Sequence, residues 1–570
     1  MKYRWSLAPS QPLLTGTLSR ELGISPLLAQ CLVNRGLSEL DGIRDFLEPR
    51  LKQLQDPFLL PNMHLAVDRL FEARERGEAL VIFGDYDVDG VTSSALLSRS
   101  LRELGWKVEC FLPHRMDEGY GLSMEGVSHC LEKFPCTLML AVDCGSTAVQ
   151  VIANLREQGV EVIVLDHHQV SNPPPQAVAL VNPHLGEGPF RELCTAGLAF
   201  KLLHAVVKQG RDWGLSQAEK YDIRSNLDLV ALGTVADLVP LSGENRILVS
   251  MGLERLRQTA RPGLVALKKV AGVDSTMGAH AVGYQLGPRL NAAGRLENAT
   301  EALDLLLSRD ISKAEEIATN LDHRNRERQN IERGIALEVI GAVKARFNPE
   351  TDFVIVEGQL LWHIGVVGIV ASRVLQQFYR PTIILGGDNA QWRGSGRSIA
   401  GFDLAAALRE CDDLLVKHGG HAMAAGLSIQ PDKVDVFRMR LNELARKALK
   451  PEDLQPVLRV DAEISLTDLN VDRLQELHAL EPFGMGNPSL HFVARRLSQA
   501  RPLLRMGASK QHVKLWLTDG MVVHEAVIWG AGNDAALPVG KFDVAFVPEI
   551  NEFAGKRNLQ LKILDWRSAA

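Results

Sequence analysis

The 570-residue chain has seven cysteines, at 31, 110, 130, 136, 144, 194 and 411, and none stands in a Cys-x-x-Cys pair. A zinc ribbon and a thiol redox motif both need that pairing, so both are excluded and reduced thiols are expected. Long apolar runs are missing: none approaches the roughly 18–20 residues of a membrane span. The opening MKYRWSLAPSQPLL has charge but not the apolar stretch of a secretory leader. A cytoplasmic protein with no membrane partner is expected. There is no G-x-x-x-x-G-K-[ST], and the G-x-G pairs beginning at 186, 394, 484 and 530 lack the third glycine, which excludes a P-loop and a dinucleotide fingerprint. Low-complexity tracts, internal repeats and heptads are also absent, so a monomer is expected. No excess of positive charge exists either: 63 Lys and Arg face 69 Asp and Glu, for a net charge of −6. Binding to a polyanion would need a local basic path.

What is present begins with length, enough for three or four domains. From 80 to 240, short apolar runs alternate with helix-compatible stretches. Strands are expected at 80–83, 107–112, 138–142 and 160–165, with helices at 91–104 and 148–158. Unbroken apolar strands separated by helices predict a parallel sheet buried on both faces. A second α/β region is expected near 350–448, with strands at 353–356 and 382–385 around a helix at 365–378. The stretch 308–345 has no proline and is rich in Ala, Glu, Arg and Leu, as a connecting helix would be. After about 455, short strands dominate (513–517, 522–529, 542–547 and 559–564) around a helix at 470–480, and a small β-barrel is expected. The fold class is therefore α/β with a C-terminal barrel. The expected domains are an N-terminal segment packing on the core (1–60), a catalytic domain (61–305), a connecting helix (306–348), a second α/β domain (349–450) and a barrel (451–570).

Three expected strands end in acidic clusters: Asp85-Tyr86-Asp87-Val88-Asp89-Gly90, Asp143-Cys144-Gly145 and Asp166-His167-His168. In open parallel sheets ligands bind beyond the carboxyl ends of the strands, so these side chains are expected to converge. Asp237, at a helix-to-loop junction, is a fourth candidate. So many carboxylates cannot all stay ionised at close range without a cation. Oxygen donors with imidazole and no cysteine favour Mg²⁺ or Mn²⁺, and two such ions about 3.5–4 Å apart suit phosphodiester hydrolysis. An acidic loop is more often a solvated turn, and the first cluster resembles a calcium loop. Position 96 is Leu, however, where an EF-hand requires Glu. Gly394-Ser395-Gly396-Arg397 combines an anion-binding Ser and Arg with glycines, although an exposed turn explains it equally well. Between 491 and 514, Arg495, Arg496, Arg501, Arg505, Lys510 and Lys514 stand without an acid, whereas 461–481 holds six. A basic face on a barrel suits single-stranded nucleic acid; a solvated surface is the plainer reading.

Taken together, the Asp85–Gly90 run, Val142-Asp143-Cys144-Gly145 and Asp166-His167-His168 resemble the DHH phosphoesterase family. His418-Gly419-Gly420-His421 resembles the Gly-Gly-His motif of its companion DHHA1 domain. The motif order covers nearly the whole chain. The runs 233–241 (GTVADLVPL), 287–295 (GPRLNAAGR) and 393–398 (RGSGRS) are most similar to family members that degrade single-stranded DNA and carry an OB-fold barrel. The resemblance implies Asp87 on one metal and Asp89 on the other, with Asp143 bridging. His167 and Asp237 complete the second site, Asp85 supports the first, and His168 contacts the scissile phosphate. One departure is Phe83, which stands where many family members have a histidine. The resemblance also implies a substrate pocket of Arg115, Arg295, Ser395 and Arg397, with His421 lining the substrate path. The implied function is 5′→3′ exonuclease action on single-stranded DNA by two Mn²⁺ or Mg²⁺ ions, releasing 5′-mononucleotides in DNA repair and recombination. A single-strand-binding protein and a helicase are the implied partners. The alternative is a phosphodiesterase of short oligoribonucleotides or cyclic dinucleotides, which has no use for the barrel.

Overall fold

The computed structural model describes residues 2–569 apart from 115–117, 119–120, 297, 388–390, 532–538 and 554–555. The chain forms two compact units. One comprises residues 41–326 with 480–489, and the other 1–40, 327–479 and 490–570.

The first unit is built on five parallel strands: β1 (Ala79–Gly84), β2 (Lys107–Phe111), β3 (Leu138–Val142), β4 (Glu161–Leu165) and β5 (Ala179–Val181), in spatial order β2-β1-β3-β4-β5. Alternate residues of a strand point to opposite faces, and both faces here are covered. Leu80, Ile82, Leu140, Val142 and Ile163 enter one core, while Val81, Phe83, Met139, Ala141 and Val164 enter another. This is why the strands read as unbroken apolar runs. Its helices include α1 (Val88–Glu103), α2 (Thr195–Asp212), α3 (Leu227–Ala236) and α4 (Gly287–Leu296). Helix α1 begins three residues earlier than expected because the Asp87 side chain caps it, accepting from the Asp89 and Gly90 amides at 2.9 and 3.2 Å. Asp89 therefore lies in the first helical turn and not in a loop.

Helix α3 is buried over Leu227–Val235, as its almost wholly apolar sequence requires. It lies close to α1 and α2 only because position 233 is glycine. A Cβ there would sit 2.5 Å from Thr92 Oγ1, 2.6 Å from Ala196 Cβ and 3.1 Å from Asp89 Oδ1. Helix α5 (Ile311–Arg346) spans the expected connecting stretch.

The second unit contains a mixed sheet of β6 (Ile355–Leu360), β7 (Thr382–Gly387), β8 (Trp392–Arg397), β9 (Leu415–His421) and β10 (Ala424–Ile429), in order β9-β10-β8-β7-β6, with α6 (Val367–Phe378) packed on it. Among these five strands only β6 and β7 are parallel neighbours. Gly394–Arg397, for which a turn was the plain expectation, is strand: β8 is paired on both sides, with β7 and β10.

Seven further strands make the C-terminal barrel: β11 (Ala462–Glu463), β12 (Phe492–Gln499), β13 (Leu504–Met506), β14 (His512–Thr518), β15 (Val523–Ile528), β16 (Phe542–Phe553) and β17 (Lys556–Ser568). They follow the order β11-β12-β16-β17-β15-β14-β13, and pairing of β12 with β14 closes the sheet. The expected basic stretch is partly neutralised: Arg495 binds Glu463 and Asp543, and Lys514 binds Glu525. The strand Arg4–Leu7 runs parallel to Val457–Val460, and Asp565 accepts from Trp5 Nε1 at 2.9 Å and the Tyr3 amide at 3.2 Å. Residues 1–60 are thus divided, with 1–40 in this second unit and the rest in the first. All seven cysteines are free thiols. Among the described residues no helix is long and apolar enough to cross a membrane.

Candidate metal centre

Each acidic cluster sits at the carboxyl end of the parallel sheet because the backbone ladder runs one residue past the strand. The amide of Asp85 donates to Val142 O, that of Asp143 to Leu165 O and that of Asp166 to Val181 O, at 3.1, 3.0 and 3.2 Å. Three aspartates are thereby locked to neighbouring strand tips. Asp143 has a φ of +64°, a left-handed conformation that aspartate tolerates better than most residues and that recurs at functional sites. Asp237 caps the end of α3.

Among the described residues, three groups bring ligand atoms within 4.8 Å of one another: Asp85, Asp87 and Asp143; Asp143, His167 and His168; and Asp89, Asp237 and Cys194. Asp143 belongs to two of them. His167 Nε2 faces three carboxylates, 3.5 Å from Asp237 Oδ2, 3.6 Å from Asp143 Oδ1 and 3.9 Å from Asp89 Oδ2. These gaps are too long for good hydrogen bonds. Both His167 Nε2 and Asp237 Oδ2 are buried without a hydrogen-bond partner. A buried acceptor left unmatched costs about 1–3 kcal/mol, so two orphaned atoms facing each other mark a place for a shared cation.

The electrostatics agree. Burial, then the charges of Asp89, Asp87, Asp85 and Asp237, raises the Asp143 carboxyl well above its ordinary range. Burial with Asp89 and Asp87 pushes Asp237 up to about 9. Burial and Asp87 raise Asp89 to about 6, although the Ala196 and Thr195 amides oppose the shift. His167 is lowered to about 4 by burial and by His168, which keeps it neutral, as a ligand must be. His168 behaves oppositely. Burial alone would lower it, but its hydrogen bond to Asp166 Oδ1 at 2.7 Å wins and raises it to about 9. Asp166, despite burial, is held low by that same bond, by the charge of His168 and by the Ser146 side chain. The pair of histidines thus divides into a neutral donor and a stable cation.

The fit to a hard divalent ion is good: oxygen donors dominate, with one neutral imidazole. Phe83 supplies no donor, since its ring is fully buried in the apolar core beside Phe111. The first cluster is therefore carboxylate only. Two neighbours were not anticipated from sequence. Cys194 reaches Asp89 and Asp237, but burial keeps its thiol protonated and it donates to Thr234 Oγ1 at 3.4 Å. Thr195 donates its hydroxyl to Asp143 Oδ1 at 2.8 Å.

The candidate substrate residues are distributed. Arg295 lies half-buried on α4 in the unit that holds the metal centre. Arg115 lies outside the described residues. Ser395, Arg397 and His421 belong to the other unit. There Arg397 Nη1 donates to Ser395 Oγ at 2.9 Å, and both side chains pack on the first turn of α6. A Cβ on Gly368 would stand 3.0 Å from Ser395 Oγ and 3.2 Å from Arg397 Nη2. A helix start, a hydroxyl and a guanidinium, groups of the kind that bind anions, thus meet around a bare backbone. Register places His421, Ala424 and Arg397 in one row across β9, β10 and β8, so exposed His421 is two strands from Arg397 on the same face.

Comparison with known proteins gives a consistent picture. The family model for the DHH family, N-terminal domain, matches residues 79–234, that of the DHHA1 domain matches 351–447, and that of the RecJ OB domain matches 460–565. The single-stranded-DNA-specific exonuclease RecJ of Bacillus subtilis is 37% identical over 99% of this chain and 71% of its own length. That of Haemophilus influenzae is 37% identical over 91% of this chain and 92% of its own length. A crystal structure of RecJ from Thermus thermophilus in complex with Mn²⁺ matches with a TM-score of 0.86 at 31% identity, covering 100% of this chain and 80% of that one. The same protein in complex with Mg²⁺ matches with a TM-score of 0.79 at 29% identity, covering 100% of this chain and 79% of that one.

Proposed function

The chain belongs to the RecJ family of single-stranded-DNA-specific exonucleases, and from that premise we propose that its aspartate–histidine cluster hydrolyses phosphodiester bonds of single-stranded DNA with two divalent cations, Mn²⁺ or Mg²⁺. The observation that carries this reading is the pair of orphaned, mutually facing atoms His167 Nε2 and Asp237 Oδ2 among carboxylates that repel one another. Asp85, Asp87 and Asp143 would hold one cation; Asp89, Asp143, His167 and Asp237 would hold the other. When bound, such ions supply an activated water and charge stabilisation at the departing oxygen. His168, kept cationic by Asp166, would neutralise charge on the scissile phosphate. His167 stays neutral and directs Nε2 at the carboxylates.

Membership of the family supports 5′→3′ polarity and release of 5′-mononucleotides, and within the second unit Ser395, Arg397 and the first turn of α6 offer donors to a terminal phosphate. On the barrel, Trp516 lies under Arg501 and Lys514, whose charged groups sit 5.9 and 5.6 Å from its ring centre. An aromatic flanked by cations suits base stacking and backbone contact. The protein acts as a monomer in the cytoplasm during DNA repair and recombination, beside a helicase that supplies single strands and a single-strand-binding protein that coats them.

The test is degradation of end-labelled single- and double-stranded DNA, with and without a 5′-phosphate, in Mn²⁺. Stepwise loss of nucleotides from a phosphorylated 5′ end of the single strand is expected. Asp143→Ala should lower the rate by more than about 100-fold, beyond what loss of an outer-shell partner costs a metal site. Substantial hydrolysis by Asp143→Ala rejects the mechanism, and faster cleavage of a dinucleotide than of long DNA rejects the substrate.

A further inference from the structure

Beside the assigned ligands, a buried threonine touches the centre directly. Thr195, the first residue of α2, is fully buried. Its amide donates to Asp89 Oδ2 at 2.7 Å, and the next amide, of Ala196, donates to Asp89 Oδ1 at 2.7 Å. Its hydroxyl donates to Asp143 Oδ1 at 2.8 Å. One helical turn therefore grips two carboxylates: Asp89 through main-chain groups that any residue would supply, and Asp143 through a hydroxyl that only Thr or Ser could supply.

We propose that Thr195 is a positioning residue of the metal centre, whose hydroxyl holds the Asp143 carboxylate in the one orientation that serves both cation positions. The inference rests on the two-cation reading above. Asp143 is shared by two of the ligand groups. A carboxylate shared by two ligand groups serves both only if its orientation is held fixed. The tip of β3 fixes the Asp143 backbone, since its amide bonds Leu165 O, but the side-chain torsions need a partner of their own. Thr195 Oγ1 provides it on the oxygen that lies 3.6 Å from His167 Nε2. That oxygen has a second lone pair, so the hydrogen bond orients it without using up its capacity to bind a cation. Outer-shell donors of this kind fix ligand geometry in metal sites generally.

The experiment is Mn²⁺ titration of the full-length chain, followed by calorimetry and electron paramagnetic resonance, in Thr195→Val, Thr195→Ala and Thr195→Ser. The wild type is expected to bind two Mn²⁺ ions with the spectrum of a coupled pair. Both hydroxyl-free variants should bind the second ion about 10- to 100-fold more weakly and lose the coupled signal. Thr195→Ser should restore both. Unaltered coupled binding in Thr195→Ala overturns the inference, and so does equal impairment of Thr195→Ser and Thr195→Val. Loss in Thr195→Val alone also overturns it, because the added methyl would then be the cause. A wild type that binds no pair instead defeats the two-cation reading itself, so the two failures are distinguishable.

Discussion

Five carboxylates close to one another make protons and metal ions competitors at the level of single residues. In the metal-free site Asp237 is raised to about 9 and Asp89 to about 6, so the site takes up protons that a bound cation would expel. The metal-free form binds more protons than the loaded form, so raising the pH favours loading. Apparent Mn²⁺ affinity should therefore climb between about pH 6 and pH 9. At pH 7, calorimetry in buffers of different ionisation enthalpy should detect proton release on Mn²⁺ binding, from the raised Asp237 and Asp143 carboxyls together. A binding enthalpy independent of buffer, with affinity flat in pH, would show that the carboxylates are already ionised. Much of this centre was legible in the sequence. Asp85, Asp87, Asp89, Asp143, His167 and His168 each follow an apolar strand, and strand ends of a parallel sheet converge. Thr195 and Cys194 were not legible. They enter from the start of a helix whose approach depends on packing against α1 and α3, and no local pattern marks that approach.

Among elements, α2 has a second anchor at mid-length. Lys201 is fully buried, and its Nζ lies 2.9 and 2.8 Å from the two Glu244 oxygens and 2.8 Å from Gln55 O. A buried pair of this sort is of small net benefit to stability, but removing one partner strands the other. Glu244→Ala should lower stability by about 3–5 kcal/mol, read from denaturant midpoints. Replacing both residues with apolar ones of similar volume, Lys201→Met with Glu244→Leu, should recover most of that loss. If the double variant is as unstable as the single, the stranded ammonium is not the cause. The strands of the first sheet were readable because both faces are buried. Strand β8 was not, since Gly394 and Gly396 carry the composition of a turn, and only pairing with β7 and β10 makes them strand.

For the whole molecule, the two compact units are not two successive lengths of chain. Residues 480–489 belong with the first unit, where the buried Arg246 donates to Phe46, Leu480 and Glu481 carbonyls at 2.8, 3.1 and 2.7 Å. Residues 1–40 belong with the second. Asp565 is buried and accepts from half-buried Trp5 and Tyr3, so Asp565→Ala should destabilise the second unit by about 1–3 kcal/mol, the net worth of hydrogen bonds to a charged group. Mn²⁺ binding in the first unit should be unchanged. A variant with unaltered melting, or with metal binding lost in step, would contradict that assignment. Pairing across such a separation leaves no trace in local composition, which is why the sequence predicted the barrel but not its N-terminal partner.

That pairing also sets an order of events during synthesis. Arg4–Leu7 leaves the ribosome roughly 450 residues before Val457–Val460 exists. At about 5–20 residues per second it waits on the order of 20–90 s with an unsatisfied edge. The catalytic sheet can close in that interval, whereas the nascent N-terminal strand stays open to a chaperone or to a neighbouring chain on the same messenger.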